Sequence, residues 1–170
     1  MTDLDPHFVT VHGHEVDLEH LTYATIVVMA ELAVYGGWDT LSYAAGALVV
    51  LAPVFAVAIA HAFSQALHAH ASHARRLTGA EWRSTVWRQL HVVLAAAPAL
   101  VILALGRLTP LGMVHVRALV LMTGTLTLVG LATLASRRAG YQRSQLLVAA
   151  GAGGLLGLLV ISVQVALKST

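Results

Sequence analysis

Long apolar runs separated by short polar segments make up most of the chain from residue 18 to residue 168. A helix needs about 20 apolar residues to cross the hydrocarbon core of a bilayer, and most of these runs approach or exceed that length. The pattern predicts an all-α fold, a polytopic integral membrane helical bundle with five transmembrane helices. The predicted helices cover residues 18–36, 40–70, 79–106, 110–137 and 143–167.

The segment before the first apolar run, residues 1–17, has a different character. It is acidic, contains histidines and shows no sustained helical period, so we expect an aqueous tail. The first run is the shortest and carries Glu31, which leaves a second arrangement open. In that arrangement the first segment is interfacial or re-entrant, and the other four helices span the membrane.

Residues with special backbone properties separate the predicted helices. Glycines at positions 36–37 can take the left-handed conformation that often ends a helix. Asp39 or Thr40 is a suitable N-cap for the second helix. Thr109 can cap the fourth helix, with Pro110 in its first turn.

The boundaries of the third and fifth helices depend on other signals. Thr78 and Glu81 have the spacing of a capping box, which predicts that the third helix begins at Gly79. Its mostly apolar body covers residues 90–105. Gly140 marks the turn that precedes the fifth helix.

Small residues recur at every fourth position in the fifth predicted helix. They are Ala149, Gly153 and Gly157, which together form one ridge along a helix surface. Such a ridge lets the backbones of two membrane helices approach closely. We therefore expect the fifth helix to pack against a neighbour through these residues.

Composition supports a membrane location and excludes several chemistries. Hydrophobic residues make up 58% of the chain and charged residues 11%, whereas roughly a quarter of the residues in soluble domains are charged. Cysteine is absent, which excludes disulfides, thiolate metal sites and cysteine nucleophiles. The abundance of alanine, leucine and arginine is typical of GC-rich bacterial genomes, so the bacterial plasma membrane is the expected location.

The basic residues predict the orientation in the lipid bilayer. They cluster in the connections after the second and fourth helices, and the positive-inside rule places such connections in the cytoplasm. With five spans, the amino terminus is cytoplasmic and the carboxyl terminus external. Nucleic-acid binding is not expected, because these residues belong to membrane connections and lack a soluble folded platform. The residues are Arg75, Arg76, Arg83, Arg88, Arg137, Arg138 and Arg143.

One polar layer is predicted at the cytoplasmic end of the bundle. His61, Ser64 and His68 share one face of the second helix, since they are three and four positions apart. This row can be an interfacial collar, a proton or ion path, or part of a site for zinc, manganese or iron. The candidate metal ligands are His61, His68, His91 and Glu19. The whole layer comprises Glu19, His20, Tyr23, His61, Ser64, His68, Arg88 and His91.

A second polar layer is predicted at the external end. Glu31 lies within an apolar run, where a carboxylate costs about 2.5–3.5 kcal/mol, so it should face the bundle interior or pair with a cation. A structural ion pair with Arg117, or with Arg107, satisfies this requirement. Alternatively, Glu31, Tyr35 and Arg117 continue an ion or proton path from the histidine row. The whole external layer comprises Glu31, Tyr35, Ser42, Arg107, His115 and Arg117.

Three functions from different classes remain. The first is a small channel or transporter, homo-oligomeric because five helices are too few to enclose a wide pore, that moves protons or small ions. The second is a non-catalytic accessory or assembly subunit of a larger membrane complex. The third is a membrane-embedded, metal-dependent enzyme that uses the cytoplasmic-end histidines. We rank them in that order, and a divalent metal is the only cofactor considered.

Overall fold

A computed structural model of the chain describes residues 8–11, 14–73, 78–79, 82–83 and 91–168. Its helices confirm the predicted helical architecture, and their bounds lie close to the predicted ones except where stated below. The α-helices are α1 (Leu18–Val34), α2 (Tyr43–His73), α3 (Ala97–Arg107), α4 (Met113–Arg138) and α5 (Arg143–Lys168). Two short 3-10 helices cover Trp38–Thr40 and His91–Ala96.

A small hairpin precedes α1, where the sequence predicted an aqueous tail. Strand β1 (Phe8–Val11) pairs antiparallel with β2 (His14–Asp17). Phe8 lies opposite Asp17, and Val11 lies opposite His14. The hairpin is only four residues long on each strand, so its alternation of side chains is too short to stand out in the sequence.

Three of the described helices are long and apolar enough to cross a membrane. These segments are Tyr43–His68 in α2, Met113–Arg138 that forms α4, and Arg143–Val163 in α5. The segment Val92–Arg107 is apolar but shorter, and α1 has 17 residues. Within the described residues, length and composition therefore support three membrane-capable helices, and the five spans stay a prediction.

The short helix α1 lies at the centre of the bundle. It contacts α2, α4, α5 and the 3-10 helix His91–Ala96. Ala24 and Leu32 are fully buried, and Val28 and Met29 nearly so. A helix surrounded by other helices needs less length and hydrophobicity than one that faces lipid, which explains why α1 is the weakest apolar run.

The start of α2 differs from the prediction. Asp39 and Thr40 belong to the 3-10 helix, and α2 begins three residues later than expected, at Tyr43. Ser42 is the N-cap, because its hydroxyl accepts a hydrogen bond from the Ala45 N–H at 3.2 Å. The 3-10 turn occupies the predicted capping residues because it carries the fully buried side chain of Trp38.

The start of α4 also lies later than predicted, at Met113 with Gly112 as N-cap. Thr109 does not cap it. Instead the Thr109 hydroxyl and N–H both donate to the Gly106 carbonyl, at 3.0 and 3.2 Å, and so satisfy the end of α3. Pro110 consequently lies in the connection between the two helices.

Over the described residues, the predicted third helix is not one regular α-helix. Gly79 is helical, and the Trp82 N–H donates to the Thr78 carbonyl at 3.0 Å. The 3-10 helix His91–Ala96 then precedes α3. Pro98 lies in the first turn of α3, where the missing N–H of proline is tolerated best, so α3 begins close to this residue.

The helix ends use glycine differently from the prediction. Among the described glycines, Gly140 has positive φ, at 73°, whereas Gly37 has φ of −95°. Gly140 follows α4 in a Schellman motif: its N–H donates to Arg137, and the Tyr141 N–H donates to Ser136, both at 3.1 Å. The predicted left-handed end therefore lies after α4 and not after α1.

Helices α4 and α5 form the most extensive helix pair of the bundle. Gly153 and Gly157 of the predicted ridge lie against α4, where an added Cβ would come within 2.8 Å of Leu128 and 2.6 Å of Thr125. Ala149, the third member, is half-buried. Pairing of Gly153 with Leu128 and of Gly157 with Thr125 makes the two helices antiparallel.

Tyr43 ties α2 to the connection between α3 and α4. Its hydroxyl lies 2.9 Å from the Gly106 carbonyl and 2.8 Å from the Leu111 carbonyl and shares one proton between them. We expect Tyr43→Phe to lower the free energy of unfolding by about 1 kcal/mol, because a part-buried hydrogen bond is lost. Unfolding measured in detergent by circular dichroism tests this, with Tyr141→Phe as the exposed control. Equal effects of the two changes would contradict it.

Candidate functional site

A cavity of about 950 Å³ lies between α1, α2, α4 and α5. It is near the end of the bundle where α1 begins and α2 ends, which we call the histidine end after His20 and His61. The cavity is partly open to the outside of the protein. Its lining comprises Leu18, Glu19, His20, Thr22, Tyr23, Ile26, Val57, Ala60, His61, Ser64, Leu128, Leu131, Ala132, Ala135, Ala152, Gly153 and Leu156.

The polar side chains of the cavity all come from α1 and α2, which also contribute apolar ones; we call this side the polar wall. The rings of His20 and His61 meet edge to face, with centroids 4.4 Å apart and an interplanar angle of 74°. The Tyr23 ring lies 6.0 Å from the His61 ring at 83°. Glu19 and Ser64 complete this wall. The first turns of α1 therefore face the last turns of α2, because the two helices run antiparallel.

The side chains that α4 and α5 contribute to the cavity are all apolar, and we call this side the apolar wall. Leu128 and Leu131 of α4 line the cavity, together with Leu156 of α5. The other lining residues of these two helices are small, including Ala132 and Gly153. Hydropathy does not reveal this wall in the sequence, because leucine and alanine have the same pattern whether a membrane helix faces lipid, a neighbouring helix or a cavity.

The structure brings together most of the polar layer predicted at this end. Glu19, His20, Tyr23, His61 and Ser64 all line the cavity. His68, further along α2, is exposed and does not line the described cavity. Arg88 and the side chain of His91 lie outside the described part of the chain.

The structure brings the predicted metal ligands together only in part. Glu19 and His61 line the cavity, whereas His68 does not, and the side chain of His91 lies outside the described residues. Within the described residues, no group of three or more histidine, aspartate or glutamate side chains could hold a metal ion. The metal site therefore stays a prediction.

At the opposite end of the bundle, Arg117 binds the end of α1. Its Nε donates to the Leu32 carbonyl at 3.0 Å and its Nη2 to the Ala33 carbonyl at 2.8 Å, and the residue is 5% exposed. The last carbonyls of a helix lack partners within the helix and carry partial negative charge. A buried guanidinium supplies both hydrogen-bond donors and a positive charge to these carbonyls. Arg117 therefore caps the carboxyl end of α1, where the sequence predicted a left-handed glycine.

Glu31 does not form the ion pair with Arg117 that the sequence predicted. Glu31 is exposed, and Arg117 contacts α1 through main-chain oxygens. The carboxylate that acts electrostatically on Arg117 is Asp39. The reason is geometric: the start of α4 faces the end of the α1 backbone rather than the side of α1 that carries Glu31.

The other residues predicted at this end also have separate positions. Arg107 and His115 are exposed. The Tyr35 ring is half-buried and meets the Trp38 ring at 6.1 Å and 82°. The external polar layer therefore does not converge on one site, in contrast to the histidine end.

Side chains pack closely along the middle of α1. A void of about 10 Å³ remains beside Thr25, Met29 and Gly124. One water molecule needs about 10–15 Å³ of such space, so this void has room for one at most. We call these residues, which lie between the two ends of the bundle, the packed layer.

Comparison of the chain with known protein families, with curated proteins and with solved structures finds no match. The cavity must therefore be interpreted from its own chemistry. Its polar wall offers carboxylate, imidazole, phenol and hydroxyl groups to a polar ligand, and its apolar wall can hold a hydrophobic group.

Proposed function

We propose that this chain is a small multi-pass transporter of the bacterial plasma membrane, in which the cavity at the histidine end binds protons and small ions. The observation that carries the proposal is the joining of Glu19, His20, Tyr23 and His61 on one wall of a cavity of about 950 Å³. Ionisable groups within membrane bundles are costly, and they commonly mark the path of an ion or substrate. The transported species meets these groups first.

The surface of the described helices supports a membrane location. Large apolar side chains are exposed along α2, α4 and α5, beyond what soluble monomers usually present. Lipid tails are the natural neighbours of such a surface. Representative exposed residues are Leu48, Ile59, Leu126, Leu147, Leu155 and Leu159.

The arginines support a cytoplasmic position for the histidine end. Arg137 and Arg138 end α4 and Arg143 begins α5, all of them exposed at the end where α2 also finishes. Basic residues flanking membrane helices face the cytoplasm. The described conformation then opens inward, and transport requires a second conformation in which the packed layer around Met29 opens.

The histidine pair provides the proton-binding chemistry of the proposal. An unperturbed imidazole changes charge near pH 6.5, so small changes in its surroundings favour either form. The two rings meet with their centroids 4.4 Å apart, so a proton bound at this wall has both imidazoles within reach. In this proposal the proton is passed on when α1 moves relative to α2.

Flux into vesicles tests this function. We expect the purified protein, reconstituted with a pH-sensitive dye inside the vesicles, to conduct protons when a potassium diffusion potential is applied. His61→Gln should reduce this flux at least tenfold, because amide groups do not titrate. His115→Gln is the matched control, since His115 is exposed on α4 away from the cavity.

The flux measurements distinguish transport from the accessory-subunit function. Wild-type vesicles no more permeable than protein-free vesicles would refute transport and leave the accessory-subunit function. Equal loss in both histidine variants would show that the cavity is not the path. Native mass spectrometry in parallel tests the proposed homo-oligomer, for which a single chain per complex is the contradicting result.

A further inference from the structure

We infer that a phospholipid of the surrounding bilayer binds in the cavity at the histidine end, with one acyl chain inside the bundle. This lipid site goes beyond transport: it rests only on the membrane location in the proposed function, and it requires no particular charge on any cavity side chain. A lateral opening of the bundle, the length of the cavity and the change of its polarity with depth define the site.

The ring of helices around α1 is open on one side. The ring consists of α2, α3 with its 3-10 helix, α4 and α5, and successive members contact each other. Contact between α5 and α2 would close the ring, but these two helices have no extensive contact over their described residues. Tyr23 is consequently 53% exposed, although it belongs to the central helix. The cavity lies at this opening, with lining residues from both α2 and α5.

The opening lies at the depth of the membrane hydrocarbon. The lining residues of α2 and α5 belong to the membrane-capable segments Tyr43–His68 and Arg143–Val163. Acyl chains are the solvent of such segments, so a chain from the adjoining leaflet can enter the cavity from the side. Exposed lining residues at the two edges of the opening are Ala60, Ser64, Ala152 and Leu156.

The length of the cavity matches one leaflet of a bilayer. Its lining along α1 extends from Leu18 to Ile26, which is about 12 Å at 1.5 Å per residue. One leaflet contributes about half of a hydrocarbon core of about 30 Å. The volume of about 950 Å³ lies within the range of about 300–1,000 Å³ that is typical of pockets for organic ligands. An acyl chain therefore fits along the cavity, parallel to the helices.

The polarity of the cavity changes along its length as the polarity of a phospholipid does. The shallow end, where α1 begins and α2 ends, carries Glu19, His20 and Ser64. Tyr23 and Ser64 offer hydroxyl groups that donate to ester oxygens whatever the protonation of the neighbouring imidazoles. The deep end is apolar and suits the end of an acyl chain. Its residues are Ile26, Val57, Leu128 and Leu156.

A membrane helix from a second copy of this chain is the competing occupant of the opening. The membrane-capable helices of this chain are apolar along most of their length, so such a helix would also place apolar side chains against the polar shallow end. A phospholipid complements both ends of the cavity. Its acyl chain also closes the cavity toward the bilayer, so protons and ions enter the polar wall from the histidine end.

Retention of lipid by the purified protein tests the inference. The full chain is reconstituted in phosphatidylcholine vesicles, extracted in a mild detergent and washed with that detergent to remove lipid from the exposed helix faces. Native mass spectrometry then counts the phospholipids and the protein chains in each complex. We expect one phosphatidylcholine molecule to remain bound to each chain.

Two variants that block the opening locate the site. Ala60→Phe should lower the retained fraction about tenfold, because its ring fills the opening from α2. Ala60 is exposed, so the added ring does not disturb the packed core. Ala44→Phe is the matched control, since Ala44 is also exposed on α2 and lies roughly 24 Å away along the helix axis. Ala152→Phe repeats the test from the α5 edge.

The wild-type measurement decides without any variant, because a chain that retains no phospholipid overturns the inference. Equal retention by Ala60→Phe and Ala44→Phe would also overturn it. A lipid-free dimer that dissociates in Ala60→Phe would overturn it in favour of a second copy as the occupant. Proton flux without retained lipid refutes the lipid site alone, whereas retained lipid without flux refutes transport and leaves the lipid site.

Discussion

Replacing Arg117 by methionine is expected to lower the free energy of unfolding by about 2–5 kcal/mol. The guanidinium donates to the carbonyls of Leu32 and Ala33, at 3.0 and 2.8 Å, in a buried position. Hydrogen bonds from charged donors contribute about 1.5–3 kcal/mol each, and their loss leaves two helix-end carbonyls buried. Methionine fills much of the same volume, so the change reports on the polar interactions of the guanidinium, including these two bonds and the attraction of Asp39.

Unfolding in mixed detergent micelles, followed by circular dichroism, measures the effect. Arg107→Met is the matched control, because this substitution removes the same charge from an exposed position at the end of α3. Arg117→Lys should lie between wild type and methionine, since lysine keeps the charge but not the planar pair of donors. The interpretation of Arg117 as the closing residue of α1 fails if the methionine variants at the two positions unfold alike.

Replacing Gly153 by alanine is expected to destabilise the protein by about 1–3 kcal/mol, although alanine is the better helix former. The new Cβ would lie 2.8 Å from the Leu128 carbonyl oxygen and 3.1 Å from the Val129 Cα. Both are backbone atoms, which cannot turn aside as a flexible side chain can. The two helices must therefore move apart, and the packing along α4 and α5 is lost.

Gly151 offers a sharp control two positions away on the same helix. An added Cβ there meets nothing within 4 Å, so Gly151→Ala should stabilise the helix by about 0.5–1 kcal/mol. The two glycine variants thus have opposite expected signs in one unfolding assay. Destabilisation of similar size at both positions would contradict the close approach of α4 and α5.

Local signals in the sequence predicted much of the architecture. Apolar runs located the helices, because hydrophobicity is a property of each residue and does not depend on distant contacts. The four-residue spacing of Gly153 and Gly157 predicted a packing face for the same reason. His61 and Ser64 were placed on one face of the second helix, and both line the cavity.

Errors in the prediction occurred where a distant residue competes for a local role. Thr109 has the chemistry of an N-cap, but its hydroxyl bonds to Gly106 at the end of the preceding helix. Ser42 rather than Asp39 caps α2, because the 3-10 turn before it is needed to bury Trp38. Capping propensity identifies suitable residues, and the path of the connecting chain selects among them.

By itself, the sequence determined the helical class, the approximate helix positions and the polar side chains at one end of the bundle. Only the tertiary structure decided that the short helix α1 is central and that Leu128, Leu131 and Leu156 line the cavity. It also decided that Arg117 binds the last carbonyls of α1 and not the Glu31 side chain. The physical reason is that hydropathy and helical spacing are local properties, whereas the partner of a charge and the neighbour of a leucine depend on contacts between residues far apart in the chain.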